Sequence, residues 1–95
     1  MDLSQGQLVR SIAGRDKGKF YLVIGFAQEK MLVADGQYRT LKDPKTKNIK
    51  HLQSYKHISD RVVSASASNQ LTDTLLRQEL QSILQEESAR GKEVC

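Results

Sequence analysis

The sequence predicts a mainly β chain with a C-terminal helix: a small β-barrel of about five strands covered by one amphipathic helix. Two observations carry it. Short apolar runs separated by turn residues fill positions 1–57, and a leucine stripe at helical spacing follows from Asn69. The implied organisation is a barrel over residues 1–57, a connector over 58–68, a helix over 69–88 packed on the barrel, and a tail over 89–95. A chain of 95 residues has room for one domain with a simple core.

Gln7 to Ala13 is the first strand candidate, bounded by Gly6 and Gly14. Phe20 to Phe26 is the second, rich in aromatic and branched residues. Lys30 to Ala34 is the third, closed by Asp35-Gly36, where glycine can take the positive φ of a tight turn. Gln37 to Leu41 and Asn48 to Gln53 complete the set. The unbroken run Phe20-Tyr21-Leu22-Val23-Ile24 reads as a strand covered on both faces, with Phe20 and Phe26 in the core. One face lines the barrel, so the other needs a cover.

Asn69 to Glu87 supplies that cover. At about 100° per residue Leu76, Leu80, Ile83 and Leu84 fall on one stripe, with Leu71 and Leu75 on its flank. Ser68 or Asn69 can cap the start, and Gly91 follows the end. Its acids, Asp73, Glu79, Glu86 and Glu87, make its outer face a poor surface for a polyanion. Between barrel and helix, Ser64-Ala65-Ser66-Ala67-Ser68 reads as a flexible connector.

The net charge is +4, and it is unevenly spread. Met1 to His57 carries 11 basic against 5 acidic side chains, a net of +6, while Ile58 to Cys95 carries 4 against 6, a net of −2. A polyanionic partner is therefore expected to meet the first part. No apolar run approaches the roughly 20 residues of a membrane span, and Met1 to Gly6 lacks the apolar core of a signal peptide. The expectation is a cytoplasmic chain without membrane attachment. Cys95, the single cysteine, allows no internal disulfide and reads as an exposed tail thiol in a reducing compartment.

Two basic constellations carry the chemistry. Gly14-Arg15-Asp16-Lys17-Gly18-Lys19 joins the first two strand candidates and gathers three cations at one tip, with glycines that leave backbone amides accessible. Spacing alone serves a phosphate grip and an ordinary solvated hairpin equally well. Lys42-Asp43-Pro44-Lys45-Thr46-Lys47-Asn48-Ile49-Lys50-His51 places four lysines in an extended segment that can track a phosphate backbone. Alone it reads equally as a solubilising loop; beside the first loop on one small barrel, the phosphate reading gains. Tyr38, next to Arg39, is the best candidate to stack on a base, ahead of Tyr21 and Tyr55. His51 and His57, with Asp35 or Asp60, show no metal-ligand spacing. The chain also lacks HEXXH, CXXC, GXSXG, P-loop and GXGXXG patterns. No catalytic residue, metal or cofactor is expected.

Leu8-Val9-Arg10-Ser11-Ile12-Ala13, then the loop Gly14 to Lys19 with Gly18 as its key glycine, then Tyr21-Leu22-Val23-Ile24, resembles a KOW motif. Val33 to Arg39 and Pro44 to Leu52 extend the likeness to a bacterial family of small KOW-domain RNA-binding proteins. That family itself resembles the KOW-bearing "fourteen-e" large-subunit ribosomal protein of archaea and eukaryotes. Phe20 and Tyr21 stand where many KOW motifs carry another glycine, which favours the ribosomal-protein-like branch. The resemblance spans Gly6 to Gln53 and implies an SH3-like barrel that binds RNA without catalysis.

Charge split and resemblance together lead to a sequence-tolerant binder of structured RNA, ribosomal RNA foremost, with ribosomal proteins as further partners and a monomer when free. Arg15, Lys17 and Lys19 would grip one phosphate run and Lys45, Lys47 and Lys50 another. Gly14 and Gly18 would allow close backbone approach, Tyr38 with Arg39 would add a stacked or base-edge contact, and His51 would add charge when protonated. The rival of a different class is a protein-interaction adaptor using the barrel and the leucine-striped helix. Binding to anionic membranes is weaker still, for want of a basic amphipathic helix.

Overall fold

A computed structural model describes residues 3–90, with side chains through residue 86. Residues 91–95 of the expected tail, Gly91 and Cys95 among them, lie outside the described residues, as does the Glu87 side chain. Five strands form one antiparallel sheet: β1 (Gln7–Ser11), β2 (Phe20–Ala27), β3 (Lys30–Ala34), β4 (Lys45–Asn48) and β5 (Leu52–Ile58). Two helices follow, α1 (Asp60–Ala67) and α2 (Asp73–Arg90). The strand order is β4-β3-β2-β1-β5, so the last strand returns to the first. Among the described residues no helix is long and apolar enough to cross a membrane.

The apolar run of β2 is covered on both faces, as its composition requires. Leu8, Leu22 and Ala34, aligned across β1, β2 and β3, form one core cluster with Val62 of α1 and Leu76, Leu80 and Ile83 of α2. The alternate residues Val9, Tyr21 and Val23 join Met31, Val33 and Leu52 in a second cluster that contains no helix residue. That cluster draws on β1, β2, β3 and β5, so it lies along one face of four neighbouring strands. Phe20 packs at the edge of the helix-covered cluster, whereas Phe26, expected in the core, is 55% exposed.

Three expected elements differ. Gln37 to Leu41 is a loop, because the Asp35 carboxylate accepts hydrogen bonds from the N–H groups of Gln37 and Arg39, at 2.9 and 2.8 Å, and bends the backbone. The stretch expected as one strand from Asn48 is divided. β4 ends at Asn48, whose side chain accepts from Lys50 N and caps a short 3₁₀ turn (Ile49–His51), and β5 then runs on to Ile58.

The third difference is the connector, most of which is helix α1. Ser59 caps it by accepting from Val62 N, and Val62 is its one buried residue. Asn69, expected to start a helix, instead ends this one at φ 63°, with Gln70 N bonded to Ala65 O and Asn69 N to Ser66 O. The start of α2 is capped by Thr72, whose hydroxyl accepts from Leu75 N at 3.2 Å.

Candidate nucleic-acid interface

The strands end so that two loops share one end of the sheet. The β1–β2 loop leaves Ser11 and returns at Phe20, while Ala34 of β3 and Lys45 of β4 bracket the loop 35–44. Arg15, Lys19, Tyr38, Arg39 and Lys45 line a groove of about 390 Å³ between them, with Asp16 and Tyr21 at its wall. Five of the nominated side chains thus converge, although the two loops are some twenty residues apart in sequence.

The β1–β2 loop is built around its one acid. Asp16 Oδ1 accepts from the Ser11 hydroxyl at 2.8 Å and from Lys47 Nζ at 3.0 Å, and Oδ2 accepts from the Tyr21 hydroxyl at 2.8 Å. Lys47 Nζ also donates to Ala13 O at 3.0 Å. The Asp16 and Lys47 side chains are only 11% and 8% exposed. Burial alone would raise the Asp16 carboxyl, but the bonds from Ser11, Lys47 and Tyr21, with the Lys47 charge, outweigh it and hold the group well below the usual carboxylate range. Burial, then the bond to Asp16, pushes the Tyr21 phenol well above its ordinary value. A charged pair so enclosed and hydrogen-bonded is structural.

Lys47 is therefore not a surface cation. It was expected to track phosphates, yet it lies under the loop, because the period-two alternation of β4 turns it to the inner face while Thr46 points outward. Lys45 shares that inner face but sits at the start of the strand, where the sheet opens into the groove. Lys17 is exposed beside the groove without lining it. Lys50 and His51 are exposed on the 3₁₀ turn, which is tied to the far side of the same loop by Ile12 N bonding to His51 O, and neither lines the groove.

Gly14 and Gly18 have φ of 90° and 94°, in the left-handed region that glycine alone takes readily. The Gly18 N–H is not one of the accessible amides expected of this loop, since it donates to Ser11 O at 2.8 Å. These glycines shape the loop, and the cations it carries face solvent. On the opposite wall Lys19 Nζ stands 4.8 Å from the Tyr38 ring centroid, and Arg39 lies 3.7 Å from the exposed Asp43.

Compared with known proteins, the chain matches no family model and no curated protein sequence. The groove's chemistry therefore rests on its own residues. Sequence reasoning missed Ser11, Asp16 and Tyr21 as its supports. The one available signal was a single acid placed at the centre of a cationic loop.

The leucine stripe is spent inside the molecule, with Leu76, Leu80 and Ile83 buried on the sheet. Three described acids of α2 have partners within the chain. Asp73 Oδ1 accepts from Leu41 N at 2.8 Å, Glu79 accepts from Ser59 and Arg61, and Glu86 lies 3.6 Å from His57. Among the described residues no group of His, Cys, Asp and Glu is arranged to hold a metal ion.

Proposed function

We propose that this chain is a non-catalytic RNA-binding protein of the KOW type, with an SH3-like barrel, acting in the cytoplasm on or near the ribosome. The observation that carries the reading is the convergence of Arg15, Lys19, Arg39 and Lys45 around Tyr38 in one groove. The one acid in its wall, Asp16, is neutralised by Lys47 from beneath. Such a surface meets a phosphate backbone with several cations at once. The resemblance of Gly6 to Gln53 to KOW proteins of the ribosomal type points to ribosomal RNA as the partner. The adaptor reading loses one of its two supports, since the leucine stripe is buried against the sheet.

Titration against ribosomal RNA and ribosomal subunits at several salt concentrations tests the proposal. With four or five cations on phosphates, log affinity is expected to fall with log salt at a slope of roughly −3 to −4. Tighter binding to subunits than to bulk RNA would assign a ribosomal site. No binding near physiological salt would sink the RNA reading.

A further inference from the structure

Tyr38 is out of place for a structural aromatic. It is 72% exposed, belongs to neither core cluster, and stands on a short loop among cations. Exposed aromatic surface held in place is what base stacking requires.

The loop beneath it is fixed from both sides. Asp35 accepts from the N–H groups of Gln37 and Arg39, and the N–H groups of Asp35 and Gly36 both donate to Arg39 O at 3.0 Å. Gly36, at φ 81°, is buried against α2 so closely that an added methyl would meet the backbone of Asp73 and Arg77. Arg77 Nη1 donates to Gly36 O at 3.2 Å. The ring is thus presented from a preorganised loop, which lowers the ordering cost of stacking on it. One face of the ring lies under the Lys19 ammonium, and Arg15, Arg39 and Lys45 stand around the groove where flanking phosphates would pass.

We infer that the groove takes an unpaired, extruded nucleotide, as found at a bulge or loop of a folded RNA, with its base on Tyr38 and its flanking phosphates on Arg15, Arg39 and Lys45. The inference rests on the RNA reading above and narrows it. The bases of an intact duplex are stacked on one another, and the deep, narrow major groove of A-form RNA admits no side chain to them. A duplex would therefore use the cations and leave Tyr38 idle. At about 390 Å³ the groove falls at the small end of ligand clefts, which suits a single nucleotide.

The test uses two RNA hairpins identical except for one bulged nucleotide in the stem, titrated at fixed salt by fluorescence anisotropy. The bulged RNA is expected to bind about 5- to 100-fold tighter than the intact stem. Tyr38→Ala should erase that preference while leaving affinity for the intact stem within about twofold, since phosphate contacts are unaffected. Tyr38→Phe, which keeps the ring, should retain the preference. Equal binding of the two hairpins, or a preference that survives Tyr38→Ala, overturns the nucleotide inference and leaves the RNA reading standing. Absence of binding to either hairpin at physiological salt overturns both.

Discussion

The two basic segments look alike in sequence and are used in opposite ways. In the β1–β2 loop, Arg15, Lys17 and Lys19 face solvent while the acid, Asp16, is drawn inside. In the segment from Lys42 to His51 an individual lysine is drawn inside instead, and Lys47 supplies the charge that Asp16 needs. One segment displays its cations because the other has given one up. Counting lysines along a chain therefore overstates the charge available to a ligand wherever a strand carries some of them inward.

The largest expected effect separates Lys47 from Lys45. Lys47→Ala leaves the Asp16 charge enclosed and unpaired, and should cost about 3–5 kcal/mol in urea unfolding. Lys45→Ala should stay within about 0.5 kcal/mol of the parent and weaken RNA binding instead. Equal stability losses at the two positions would break the comparison.

Gly36→Ala forces a methyl into the α2 backbone at a positive φ, and should cost about 2 kcal/mol or more by the same measurement. It probes whether the loop that carries Tyr38 and Arg39 is held by the helix.

Asp16→Asn leaves the enclosed Lys47 ammonium without its counter-charge and adds a defined pH dependence. A carboxyl held below its ordinary value stabilises the folded state wherever the unfolded chain would bind a proton that the folded chain refuses. The advantage of the parent over Asp16→Asn should be complete above about pH 5 and shrink as pH falls through the ordinary carboxylate value near 4 and on towards the depressed one. An advantage that grew on acidification would contradict the geometry. The smallest effect is expected at Lys50, outside the groove, where Lys50→Ala should change RNA affinity less than Lys45→Ala when both are titrated at the same salt.

How much of this was legible in the sequence follows from where the information lies. β1, β2 and β3 were readable because apolar runs between turn residues report burial directly. The two-sided cover of β2 was readable from Phe20 to Ile24, and the α2 stripe from the spacing of its leucines. Helix α1 was hidden because its serines and alanines read as a linker until Ser59 and Asn69 are seen capping its two ends. The Gln37 to Leu41 loop was hidden because hydrogen bonds to the side chains of Asp35 and of the distant Asp73 hold its backbone, and neither leaves a pattern in the sequence. For the candidate site, composition identified the cations but not which of them converge. Lys47 and Lys45 are chemically identical, and only register with β3 and distance from the strand end separate them.

The most direct test of the account is the salt dependence of RNA binding by the triple variant Arg15→Ala/Lys19→Ala/Lys45→Ala, compared with the parent chain. If these side chains hold phosphates in the groove, the slope of log affinity against log salt should shrink by about two to three, with unfolding stability nearly unchanged. An unchanged slope would place the RNA elsewhere on the molecule and contradict the assignment of the groove.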